Sequence, residues 1–178
     1  MQVDPLYVGT AKHRDVVVPI QYMFFSKLTP NLFFSFLFLF LFYGSCYSKT
    51  IEVLMWSNFQ GKKNNMRYDP RIISINVGDT VFWKSLGKDH NVEFIVEGIP
   101  IGVEKLNSEL NQDVEFTFIT PGIYAYVCTL HINIGMIGFV VVGNDLHNLK
   151  EVKKIKYSGF ARRIAKELIE EIEKNYGD

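Results

Sequence analysis

The chain has 178 residues, enough for one domain with a substantial core. Apolar residues make up 48% of it, which excludes a disordered chain. Nineteen Lys and Arg balance nineteen Asp and Glu, which argues against a general nucleic-acid binder needing a basic excess.

The first distinctive segment is the apolar block at residues 32–42, an almost unbroken run of Leu and Phe. It is short for a membrane-spanning helix, which needs about 20 residues, and fits the core of a secretory signal. Gly44, Ser45 and Cys46 supply small residues after it, as a cleavage site needs. Residues 1–46 are therefore read as a leader, with Met23 as the expected true start. The alternatives are an uncleaved membrane anchor and a lipidated Cys46. Beyond residue 46 the only cysteine is Cys128. A lone thiol in an oxidising compartment is a liability unless something holds it, and a metal would hold it.

From Thr50 onward apolar residues alternate with polar ones. Ile51/Val53/Met55, Ile73/Ile75/Val77, Val92/Phe94/Val96 and Val114/Phe116/Phe118 each predict a strand, as do Thr80–Lys84, Tyr124–Cys128 and Gly138–Val142. Gly78-Asp79 and Pro121-Gly122 mark turns. Short strands with turn signals at intervals predict a β-sandwich or barrel over residues 47–143. The composition then shifts, and residues 144–178 read as a helical extension. Asn144 or Asp145 can cap a helix over Leu146 to Lys156, and Ser158 a second running to about Asn175. In the second, Phe160, Ile164, Leu168 and Ile172, with Ala161 and Ala165 beside them, form an apolar stripe expected to pack on the sandwich.

The chemistry is concentrated in Cys128-x2-His131-x4-Met136, which places a thiolate, an imidazole and a thioether on one strand end and loop. His90, at the start of another strand, offers a second imidazole. Two imidazoles and a thiolate make a trigonal set, with methionine sulfur as a weak axial contact, and suit copper in both oxidation states. Zinc also takes Cys and His, but Met is a poor zinc ligand. Such a set leaves no open position for a substrate, which predicts no catalysis at the metal.

This segment resembles the copper loop of the cupredoxins, the pseudoazurins in particular. The likeness runs from about Lys49 to Asn175 and includes Asn64–Pro70, Val77–Val81, Asp89–Glu93 and Thr120–Tyr124. The two terminal helices point to the pseudoazurins, because plastocyanin-like relatives end at the last strand. The resemblance implies an all-β, Greek-key cupredoxin sandwich with two C-terminal helices, carrying one type 1 copper on His90, Cys128, His131 and Met136. It implies that Met66 packs near the exposed histidine ligand and that Asn91 braces the ligand loops. It further implies a monomeric periplasmic carrier of single electrons without a small-molecule substrate. Its partners would be c-type cytochromes, copper nitrite reductase or a terminal oxidase. Copper delivery and a membrane-tethered redox subunit are the competing readings. His131 would reach the surface through an apolar patch of Leu130, Ile132, Ile134 and Met66, with Lys62, Lys63, Lys84, Lys88 and Lys105 as a basic rim. The chain departs from the relatives at Leu130, where proline is frequent, at the bulkier Ile132-Asn133-Ile134, and at Val127, where lysine is common.

Overall fold

The computed structural model describes residues 48–62 and 65–177. The expectations for residues 1–46, together with those for Lys63 and Asn64, fall outside the described residues.

Among the described residues, eight strands form two four-stranded sheets. They are β1 (Thr50–Trp56), β2 (Arg67–Asp69), β3 (Ile72–Ile75), β4 (Thr80–Ser85), β5 (Glu93–Phe94), β6 (Val114–Thr117), β7 (Gly122–Val127) and β8 (Ile137–Val142). One sheet has the order β2-β1-β4-β6 and the other β3-β8-β7-β5. The β1–β4 and β3–β8 pairs are parallel and the others antiparallel, so the chain crosses repeatedly between the sheets. In β1, Val53 and Met55 are buried while Thr50 and Glu52 are exposed, as alternation requires of a sheet with one wet face.

The space between the sheets is filled with aromatic rings. Trp83 meets Tyr126 edge-on at 5.3 Å, Phe118 meets Tyr124 at 4.8 Å, and Tyr68 meets Tyr126 at 4.7 Å. Edge-to-face contacts at such distances add to the burial of the rings themselves. A second apolar layer lies on the other face of β7 and β8, where Ala125, Val127, Ile137 and Phe139 meet the C-terminal helix. All six residues of β7 and all six of β8 are consequently buried.

Register places the chemistry. Val127 pairs with Glu93 on one side and with Ile137 on the other. The segment leading into β5, the residue just after β7 and the residue just before β8 therefore emerge at one end of one sheet. His90, Cys128 and Met136 occupy those positions.

The structure corrects several local expectations. The strand expected through Val92, Phe94 and Val96 is only Glu93–Phe94, and Val96 is exposed in a 3-10 turn. Val77 lies beyond the end of β3 and is exposed as well. The helix expected over 146–156 is a single turn, α1 (Leu149–Val152). The polar residues ahead of it are engaged elsewhere. Asn144 is left-handed, with φ 52°. The Asp145 carboxylate accepts the His147 amide at 2.7 Å and faces its ring Nδ1 at 2.8 Å. Asn148 turns inward and pairs with both backbone groups of Ile123, its Oδ1 accepting the N–H and its Nδ2 donating to the C=O, each at 2.8 Å.

The second helix, α2 (Gly159–Tyr176), runs nearly where expected. It buries Ala161, Ala165, Leu168, Ile169 and Ile172. Phe160, expected in that stripe, is 61% exposed. Successive helical residues turn by about 100°, so Phe160 points well away from the line through Ala161 and Ala165.

Asn148 substitutes for a missing strand partner at Ile123, because β5 covers β7 only at Tyr126 and Val127. Asn148→Ala leaves a buried N–H and C=O without partners and is expected to cost about 1–3 kcal/mol, read by chemical denaturation.

Candidate metal centre

His90, Cys128 and His131 come together at the end of the sandwich. One donor atom from each lies within 4.8 Å of the other two. Cys128 Sγ stands 3.3 Å from His131 Nδ1 and 3.6 Å from the Asp89 carbonyl oxygen. The two imidazole rings are 5.0 Å apart at 64°. His90 and Cys128 are fully buried, and His131 is half-buried.

His90 supplies the test of what this cluster is for. Its Nδ1 is buried and has no hydrogen-bond partner, while its Nε2 lies 2.8 Å from Ser57 Oγ. A buried nitrogen left unpaired calls for an explanation. With the proton on Nε2 and donated to Ser57, Nδ1 presents a free lone pair, as metal ligation requires. Thiolate and imidazole donors at this separation fit copper.

Burial holds His90 in that state, lowering its pKa to about 4, with neighbouring His131 adding to the shift and Asp89 opposing it. Burial lowers His131 as well, again against Asp89. Both rings are therefore neutral near pH 7 and need shed no proton to coordinate.

Met136 is fully buried at the start of β8, where its carbonyl accepts the Cys128 amide at 3.1 Å and its amide donates to the His131 carbonyl at 3.2 Å. Its backbone therefore binds both other members of the loop. Asn91 links the two chain segments. Its Oδ1 accepts the Thr129 N–H at 2.9 Å and the Thr129 hydroxyl at 3.1 Å, and its backbone carbonyl accepts the Tyr68 hydroxyl at 2.6 Å. Met66 is half-buried against the core between the sheets.

Ser57, the partner of His90 Nε2, is the residue of the site that the sequence did not reveal. It follows β1 and lies far from His90 along the chain, so no spacing motif reports it. Gly87 is the sole local hint. A Cβ there would fall 1.9 Å from Ser57 Oγ and 3.0 Å from His90 Nε2, so only glycine lets the two approach.

The region around the cluster differs in part from expectation. Leu130 and Ile134 are exposed, at 57% and 47%. Ile132 instead packs half-buried against the layer beneath α2. Of the expected rim, Lys62, Lys84 and Lys88 are exposed, whereas Lys105 pairs with Glu93 at 2.5 Å.

Comparison with known proteins decides the family. The model for copper binding proteins of the plastocyanin/azurin family matches residues 56–143. Pseudoazurin of Paracoccus pantotrophus is 35% identical over 116 residues, spanning 65% of this chain and 79% of that protein. The chain belongs to the pseudoazurins. A solved pseudoazurin from Sinorhizobium meliloti superimposes with a TM-score of 0.65 at 32% identity, covering 73% of this chain and 99% of that one. The refined pseudoazurin of Methylobacterium extorquens AM1 gives 0.65 at 27% identity, over 69% and 98%. The fold is thus the cupredoxin sandwich, and the protein is a copper electron-transfer protein, of a family of carriers rather than enzymes.

For this pseudoazurin, Ser57→Ala is expected to weaken copper affinity about 10–100-fold while leaving the fold intact, measured by competition with a copper chelator. The metal-free protein should also lose stability in acid. His90 has an ordinary pKa of about 6.5 unfolded and about 4 folded, so the unfolded chain takes up the proton first. The stabilising contribution is complete above pH ~6.5 and falls away as pH drops toward about 4. Denaturation curves at pH 7 and pH 4.5 measure the difference.

Proposed function

We propose that the chain is an exported, periplasmic pseudoazurin that shuttles single electrons between redox proteins. Residues 1–46 act as a cleaved leader, 47–143 form the copper domain, and 144–178 form a helical extension on it. His90, Cys128, His131 and Met136 are the residues that would hold the copper. The convergence of three donor atoms within 4.8 Å, one of them the orphaned His90 Nδ1, is the observation that carries this reading.

Bound copper supplies a one-electron couple between Cu(I) and Cu(II). The chain's own residues do the rest. Ser57 orients His90, and Asn91 holds the Cys128 segment to the His90 segment. The buried Cys128, Met136 and His90 side chains close the inner side of the site to water. A site held this firmly changes little between charge states, which favours rapid outer-sphere transfer.

His131, half-buried beside the exposed Leu130 and Ile134, is the route by which the electron leaves. Transient redox complexes are small, so apolar contact around this histidine with charges at the rim is the docking mode. Partners of the classes implied by the family, c-type cytochromes, copper nitrite reductase or a terminal oxidase, would approach here. Lys62, Lys84 and Lys88 are the exposed cations available for steering.

Copper reconstitution tests the reading by visible absorption and electron paramagnetic resonance. An intense blue-to-green charge-transfer band with narrow copper hyperfine splitting is expected, lost in Cys128→Ser. Colourless protein, or ordinary copper signals that survive Cys128→Ser, would overturn it.

A further inference from the structure

The loop from His131 to Met136 is closed mainly on itself. Ile134 donates its amide to the His131 carbonyl at 3.2 Å, and Gly135 to the Ile132 carbonyl at 2.9 Å. What fixes the outer side of the loop is the first turns of α2. Ser158 has the extended backbone of a helix N-cap, yet its side chain makes no hydrogen bond to the helix. Its hydroxyl donates instead to Asn133 Oδ1 at 2.8 Å. A residue placed to cap its own helix has diverted that capacity to the midpoint of the loop.

The contact is also steric. Gly135 is buried, has φ 89°, and directly precedes Met136. A Cβ on Gly135 would lie 3.0 Å from Ile164 Cγ1, and one on Gly159 would lie 3.1 Å from the Asn133 carbonyl oxygen. Helix and loop therefore meet at two points within the His131–Met136 turn, the Ile164 side chain against the Gly135 backbone and the Gly159 backbone against the Asn133 carbonyl.

We propose that α2 is a clamp on the ligand loop. Ser158, through Asn133, and Ile164, against Gly135, are positioning residues that set where His131 and Met136 stand relative to Cys128. The proposal rests on the copper reading above but concerns the loop itself, which is present with or without metal.

Two measurements on the full-length protein test it. In the metal-free protein, amide hydrogen exchange at residues 133–136 is expected to quicken at least ~10-fold in Ser158→Ala and in Ile164→Ala, with the β7 amides unchanged. Ser158→Thr, which keeps the hydroxyl, should restore wild-type exchange. In the copper-loaded protein the same two alanine variants should alter the ratio of the charge-transfer bands and the symmetry of the paramagnetic resonance spectrum. Lys166→Ala, on the exposed side of the helix, should do neither. Unchanged loop exchange in both alanine variants, or quickening shared equally by β7, overturns the clamp. Absence of the charge-transfer band in the wild-type protein overturns the copper reading alone, and exchange in the metal-free protein still decides the clamp.

Discussion

The Asn91 carboxamide ties together two chain segments that the sheets leave separate. His90 precedes a two-residue strand, and Cys128 follows a six-residue one. Strand pairing fixes Glu93 against Val127, but beyond those residues the chains could diverge. Asn91 prevents this, since its Oδ1 takes both the amide and the hydroxyl proton of Thr129. Tyr68, fully buried in the core, anchors Asn91 in turn by donating to its carbonyl. The spacing of thiolate and imidazole is thus referred back to the aromatic core, which cannot adjust without losing packing.

That arrangement explains how polar donors persist at the end of an apolar interior. Cys128 and Met136 belong to the same buried cluster as Trp83, Tyr124 and Tyr126. His90 is buried beside them and kept neutral by that burial, with one nitrogen satisfied by Ser57 and the other unpaired. An unpaired buried nitrogen is a liability in a fold built only for stability. On the copper reading proposed above, coordination would use it. The site is best regarded as the polar end of the core rather than as a pocket cut into the surface.

How much of this was legible in the sequence follows from the range of each interaction. The Cys128, His131 and Met136 spacing is local, so the sequence displays it directly. Alternation revealed β1 and β6 because each has one wet face. It misled at Val96, where apolar spacing continued past the point at which β5 gives way to a 3-10 turn. The helix expected over 146–156 shrinks to the single turn of α1 because the polar residues ahead of it, which resemble caps, serve strand and turn backbone instead. Ser57 was hidden because its role depends on tertiary approach alone. Phe160 was misplaced by a helical phase error of one residue, since it neighbours Ala161 in sequence but not on the buried face.

The helical extension bears on the same constraint from the opposite side. β7 and β8 carry Cys128 and Met136 at their ends, and these two strands have every residue buried. Their inner face meets the aromatic core and their outer face meets Ala161, Ala165, Leu168 and Ile172. Lacking α2, that outer face would be open to water and the strands would read as ordinary alternating ones. Covering both faces removes the freedom of the two strands from which the ligand loop springs. The loop is short, so its geometry follows from where those strand ends stand together with the contacts that α2 makes on it. An electron carrier gains from a site that cannot relax when its charge changes. In this chain that stiffness comes as much from a helix outside the sandwich as from the sandwich itself.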